Sequence, residues 1–218
     1  MLRTEIKSGV LVVDVQGDFT TWKNGSLAVE GTDEAFVRSV EDATRLLKEG
    51  GFLVFGTQDW HPPDHISFAP NHAGKMPLDV IRIDGRSQVL WPPHCVQGTE
   101  NARILIDSDL FLAVVKKGTH AQFDSYSGFQ DDGGSRTEME DLLRRNGVTT
   151  LVVFGIATDY CVRATAIDAV RSGFKVVVVE SLCRGVASIT TAQALKEMRQ
   201  SGVNVVKDPD IKTIRSLL

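Results

Sequence analysis

The sequence predicts a three-layer α/β/α fold built on one six-stranded, mainly parallel sheet. Three observations predict it. Apolar, β-branched runs recur along the whole chain. They are continuous rather than alternating, as strands covered on both faces are. Segments of helical period separate most of them, the rhythm of strand, helix and strand joined by right-handed crossovers. At 218 residues the chain can bury a sizeable core without a disulfide or a structural metal. No repeat, low-complexity tract or linker divides it, so residues 1–218 are expected to form one domain.

The first predicted strand is Gly9–Val13. Thr32–Lys48 follows as a helix, with Phe36, Val37, Val40, Leu46 and Leu47 on one face and Gly50-Gly51 as its stop. Phe52–Gly56 is the second strand. Trp60–Glu100 then breaks the rhythm. It reads as a long loop too rich in Trp, His and Pro for a floppy linker, and long loops in compact domains are usually functional. Leu110–Val115 is a third strand, and Lys117–Ser135 a second long loop. Arg136–Arg145 reads as a helix closed by Asn146-Gly147, and Thr150–Gly155 as a strand. Thr158–Arg171 reads as a helix with Thr158 as its N-cap. Lys175–Val179, a helix over Ile189–Gln200 and a strand over Val203–Val206 complete the pattern.

Composition narrows the function. A net charge of −4 gives no electrostatic case for nucleic acid or an anionic membrane, and no basic tract is present. Cys95, Cys161 and Cys183 are too few and too scattered for a disulfide framework, which suits a reducing, cytoplasmic setting. The N-terminal MLRTEIKSGVLVVDVQ has no small-residue cleavage site, and its apolar run is too short to span a bilayer. The expected partner is a small molecule rather than nucleic acid or a membrane, and the sequence leaves a homo-oligomer open.

Reactive side chains sit where predicted strands end: Asp14, then Asp59 with His61, then Lys117, then Cys161. In an open parallel sheet, ligands bind beyond the carboxyl ends of the strands, so these residues can meet in one pocket. Cys161 at a helix start has amides and a helix dipole that favour a thiolate and a developing oxyanion. Asp14 at a buried strand end is costly unless paired or used, and it can take the thiol proton. Alternation sends one of Lys116 and Lys117 inward. Lys117, beside Gly118, is nearer the strand end and would favour both thiolate and carboxylate. A free cysteine is as often a small core residue, a lone lysine is usually solvated, and Asp14 could instead cap a turn. Cys183 reads as structural, and Cys95 as packing near a site without reacting.

Asp59 and His61 are one residue apart and can face one side of an extended segment. His94 is the best third ligand, with His65 and His72 as rivals. His65 could ligate or hydrogen-bond from behind. Three N/O ligands without a thiolate follow the catalytic pattern and suit Zn²⁺, Mn²⁺ or Fe²⁺ alike.

Taken together, these segments resemble the nicotinamidase family of the isochorismatase-like cysteine hydrolases. The matching motifs are DVQGDF (Asp14–Phe19), GSLAV (Gly25–Val29), TQDWHPPDHISF (Thr57–Phe68), WPPHCVQGT (Trp91–Thr99), KGTHAQFDSYSGF (Lys117–Phe129) and GIATDYCVRATAIDA (Gly155–Ala169). They cover nearly the whole chain in order. The resemblance implies a Rossmann-like hydrolase fold and conversion of nicotinamide to nicotinate and ammonia through a thioester, in NAD salvage. It implies a triad of Asp14, Lys117 and Cys161, and a divalent ion on Asp59, His61 and His94 that holds the pyridine nitrogen. It further implies that Phe19 and Trp91 sandwich the ring, and that the amides of Ala157 and Cys161 form the oxyanion hole. The peptide before Ala157 is cis in that family. Two departures are visible: Gly17 stands where the family has an amide side chain, and the link Thr20–Asn24 is longer. A related amidohydrolase acting on a different small amide is the alternative. A nucleotide-binding module is disfavoured, because no G-x-G-x-x-G follows the first strand.

Overall fold

The structure is a computed structural model that describes residues 7–217. The N-terminal stretch examined for a leader includes residues 1–6, which lie outside the described residues. Six parallel strands form the main sheet: β1 (Lys7–Val13), β2 (Leu53–Asp59), β5 (Ala113–Lys117), β6 (Val148–Ile156), β7 (Lys175–Arg184) and β8 (Asn204–Val206). Their order across the sheet is β5-β2-β1-β6-β7-β8. Helices α1 (Glu34–Glu49), α2 (Met139–Arg145), α3 (Arg163–Arg171), α4 (Ser188–Gln200) and α5 (Ile211–Leu217) complete the α/β/α layering. From β1 the chain builds outward through β2 to β5, then returns to the other side of β1 and builds out through β6 to β8. The reversal lies between β1 and β6, and the crevice at such a reversal is where ligands bind.

The strands form because their runs are apolar on both faces. Val10, Leu11, Phe55, Leu151, Val153 and Phe154 are all fully buried. Each such side chain contributes about 1.5–3 kcal/mol relative to exposure. Helix α1 starts two residues later than the expected Thr32. Asp33 is the cap, accepting from Phe36 N at 2.9 Å, while the Thr32 hydroxyl bonds Val29 O instead. Leu110 lies in a 3₁₀ turn closed by the Asp107 side chain, so β5 begins only at Ala113. Helix α2 likewise begins at Met139 rather than Arg136.

Three local structures differ from the expectation. The stretch Trp60–Glu100 contains a hairpin, β3 (Val80–Ile83) with β4 (Arg86–Val89), paired antiparallel. Its turn is Asp84-Gly85, both at positive φ (51° and 80°), the geometry of a two-residue hairpin loop. A short fifth helix follows Pro209, with Asp210 accepting from Thr213 N at 2.7 Å. The predicted helix from Thr158 opens as one π-helical turn over Thr158–Val162 before becoming α3. Ala157, not Thr158, is its cap residue, and Thr158 contributes no side-chain cap. Among the described residues, no helix is long and apolar enough to cross a membrane.

Candidate active site

The four strands β5, β2, β1 and β6 end side by side, and each delivers a polar group. Asp14 leaves β1 in a left-handed conformation (φ 47°), uncommon for a residue with a Cβ. The turn requires β6 to approach closely. Gly155 lies opposite Val13 at φ 135°, and a Cβ there would stand 2.1 Å from Val13 O. Asp14 is fully buried, its Oδ1 accepting from Thr57 Oγ1 at 2.7 Å. Its Oδ2 lies 2.9 Å from Lys117 Nζ, outside the directions of a well-formed hydrogen bond.

Alternation along β5 does send Lys117 inward. Lys116 is exposed and lies over the Trp60 ring at 4.0 Å. The buried Lys117 ammonium donates to Asp59 Oδ1 and to Ser125 O (2.7 Å), and stands 3.5 Å from Cys161 Sγ. Burial works against its charge, but Asp14 and then Asp59 outweigh it and hold its pKa well above the ordinary lysine range. One buried cation thus neutralises part of the charge of two buried carboxylates, the pairing that such burial needs.

Cys161 occupies the π-helical turn after β6 and is nearly buried. Carboxylate oxygens of Asp14 and Asp59 and the Cys161 sulfur all lie within 4.8 Å of one another. The expectation of a stabilised resting thiolate is not met. Burial pushes the thiol well above its usual pKa, and Lys117 only partly opposes this. Burial also raises Asp14 above the usual carboxylate range, again against Lys117. A protonated thiol beside a carboxylate of raised basicity is an arrangement for proton transfer on demand. The Ile156–Ala157 peptide is cis. Cys95 and Cys183 are buried, with burial raising Cys95 strongly and Cys183 to about 12. Cys183 donates to Val179 O.

Beside this group, ligand atoms of Asp59, His61 and His94 lie within 4.8 Å of one another, all three residues buried. Two backbone carbonyls set the imidazoles. His61 Nδ1 lies 2.8 Å from Gly118 O, and His94 Nδ1 lies 2.8 Å from Pro92 O. Each ring then donates from Nδ1, so that in its neutral form it turns an Nε2 lone pair inward, the orientation found in metal-ligating histidines. His61 Nε2 is buried with no hydrogen-bond partner among the described residues, an orphan that a cation would satisfy. The donor set of one carboxylate and two imidazoles therefore fits a divalent ion of the zinc, manganese or iron type. Burial brings His94 down to about 4, keeping it neutral, while at His61 the neighbouring Asp59 outweighs burial and raises it. Gly118 also fits the histidine sterically: at φ 64°, a Cβ there would fall 2.3 Å from His61 Cε1.

His65 is differently placed. Both of its ring nitrogens are engaged, Nδ1 with Ser67 Oγ at 2.7 Å and Nε2 with Phe123 O at 3.1 Å. Its ring lies against His61 with centroids 4.1 Å apart, and one of its nitrogens lies within 4.8 Å of ligand atoms of His61 and Asp124. The rival His72 bonds Ile66 O and is only partly buried.

A pocket opens in front of Cys161. Phe19, Trp91, His94 and Ala157 line it, as do Tyr126 and Tyr160, which the sequence reading left unassigned. Trp91 donates from Nε1 to Tyr126 Oη at 3.1 Å and meets Tyr160 edge-on, so the aromatic wall is braced. The missed tyrosines had a signal, since both lie inside motifs that carry assigned residues, in KGTHAQFDSYSGF and ATDYC. Asp124, Leu27, Val29 and Val186 also line the pocket and were missed. The first three lie inside KGTHAQFDSYSGF and GSLAV and had the same signal, whereas Val186 lies outside every motif. Gln16 holds the Asp59 backbone from both sides, accepting from Asp59 N and donating to Asp59 O. At Gly17, a Cβ would stand 2.8 Å from Asn101 Cα, so Asn101 occupies the space a longer residue would need.

Comparison with known proteins bears on this arrangement. The family model described as Isochorismatase domain matches residues 8–209. A nicotinamidase of Acinetobacter baylyi is 40% identical over 206 residues, covering 93% of each chain. A nicotinamidase and pyrazinamidase structure from Acinetobacter baumanii is 41% identical, with a TM-score of 0.85, over 95% of this chain and 99% of that one. The pyrazinamidase of Pyrococcus horikoshii, in complex with zinc, is 35% identical with a TM-score of 0.77, over 92% and 99% of the two chains.

Proposed function

Given that the chain belongs to the isochorismatase family of hydrolases, we propose that it converts nicotinamide to nicotinate and ammonia, with Cys161 as nucleophile. The observation that carries this reading is the meeting of Asp14, Lys117 and Cys161 within an aromatic pocket, beside Asp59, His61 and His94. The similarity to proteins named nicotinamidase supports the substrate. The residue roles follow from placement. Phe19 and Trp91 enclose the flat ring, and the carboxamide carbon faces the sulfur. Asp14 accepts the thiol proton as the sulfur attacks, and Lys117 steadies the thiolate as it forms. The amides of Ala157 and Cys161 receive the oxyanion. Asp14 returns its proton to the amide nitrogen, the C–N bond breaks and ammonia leaves. The thioester is then hydrolysed by water, with Asp14 again as base, releasing nicotinate and restoring the thiol.

Asp59, His61 and His94 are the residues that would hold a divalent ion, with zinc first and manganese or iron as alternatives. When bound, such an ion supplies an electrophilic anchor for the ring nitrogen. We read residues 1–218 as one catalytic domain and the protein as cytoplasmic, in keeping with three buried, unpaired cysteines. The test is incubation of purified protein with nicotinamide, measuring ammonia and nicotinate in equal amounts. Cys161→Ala should abolish both products. Release of ammonia at an unchanged rate by that variant would overturn the covalent route.

A further inference from the structure

We propose that Asp159 is a positioning residue that keeps one wall of the active-site pocket closed. Asp159 lies two residues before Cys161 in the π-helical turn, and it is 4% exposed. It touches none of the groups assigned above. Its carboxylate instead reaches the start of α4, 27–31 residues further along the chain. Oδ1 accepts from Val186 N at 2.9 Å. Oδ2 accepts from Ala187 N at 3.3 Å and from the Thr190 hydroxyl in a short bond. Ala187 is the cap residue of α4 and has no side-chain oxygen to offer. Asp159 supplies that function from a distance, satisfying donors at the helix entry with a negative charge where the dipole favours one.

The segment that it holds matters to the pocket. Val186 lines the pocket together with Tyr160 and Cys161. Its other side faces an outer groove lined by Gly185, Ala187 and Ser188. Val186 is therefore a partition between the nucleophile's pocket and an open groove, and it is 41% exposed. Little apolar burial anchors it, so the two backbone bonds to Asp159 tie the partition to the turn that carries the sulfur. The carboxylate fixes the distance between wall and nucleophile and limits access to the thiol from the groove side.

The inference rests on Cys161 being the nucleophile, but its test does not depend on turnover. Native Asp159→Ala and parent protein are treated with iodoacetamide, and labelling of Cys161 is followed by peptide mass spectrometry. The variant's labelling should be faster by roughly three- to tenfold, the population change that a lost helix cap brings. In nicotinamide assays its KM should rise more than its kcat falls. Thr190→Val removes only the hydroxyl donor on exposed α4 and should shift both readouts less, in the same direction. It carries the test alone if Asp159→Ala does not fold. Unchanged labelling and unchanged KM in a folded variant, with only a lowered Tm, would overturn the proposal and leave Asp159 as a plain structural cap. A parent protein inactive on nicotinamide would overturn the substrate reading, while the labelling comparison would still decide the role of Asp159.

Discussion

Lys117 shows how single residues here are fixed by their charge partners. It bridges Asp14 and Asp59, so removing its charge leaves two buried carboxylates facing each other. Lys117→Met should therefore cost about 3–5 kcal/mol, the range for a broken buried ion pair, measured by chemical denaturation. Asp14→Asn should slow turnover by about 10²–10⁴-fold, the usual contribution of general acid–base catalysis, with the fold intact by circular dichroism. The pH sign follows from the same residue. Asp14 must be unprotonated to act as base, and burial raises its pKa. Its kcat/KM should then fall as pH drops through a point above the ordinary carboxylate range. A profile with no acid limb would remove Asp14 from the base role. Gly118→Ala should weaken divalent-ion affinity measured by calorimetry, because the new methyl meets the His61 ring. Most of these residues were legible, since each is a reactive type at the end of an apolar run. The thiol's protonation state was not. The helix start and Lys117 were visible in the sequence, but the depth of burial that outweighs them belongs to the packed molecule.

Among the elements, the π-helical turn and the hairpin were missed for opposite reasons. The hairpin was legible: Asp84-Gly85 is a strong two-residue turn signal directly after the β-branched Val80–Ile83, hidden inside a segment read as loop. The seven-residue α5 also had a signal in Asp210 after Pro209, but it is too short for its period to stand out. The π turn had no such signal. Its sequence suits an ordinary helix, and its wider winding is set by tertiary partners, α4 among them. The meeting of β1 and β6 is the least forgiving junction. Gly155→Ala places a methyl on Val13 O at a φ of 135°. The variant should lose more than about 4 kcal/mol or fail to accumulate as folded protein, a loss seen only for severe backbone conflicts. Soluble expression and a melting curve decide it.

For the molecule as a whole, pH and metal should act on stability together. His65 and His94 are both held near 4 by burial and by His61, below the 6.5 of a free imidazole. Between those values these two imidazoles bind more protons in the unfolded chain than in the folded one. Their contribution to the stability of metal-stripped protein should thus fall as pH drops from about 6.5 to about 4, by up to about 1.4 kcal/mol per unit for each histidine. His61, Asp14 and Asp132, all raised in the fold, act in the opposite direction. A divalent ion that binds only the folded state should raise the Tm, and a chelator should reverse the rise. Urea titrations at several pH values, with and without added zinc, measure both. The strand order carries a different consequence, for the history of the chain rather than its resting state. Ser8 on β1 meets Thr150 on β6 across 142 residues of sequence. A chain emerging from the ribosome therefore holds Asp14, Asp59 and Lys117 before β6, and the turn after it that carries the sulfur, exist. During that interval one edge of β1 has no neighbour, and slow, long-range parallel pairing is what closes it. Catalytic competence is acquired late and all at once, so a truncated product lacking β6 would be an aggregation-prone sheet fragment, not a weaker enzyme.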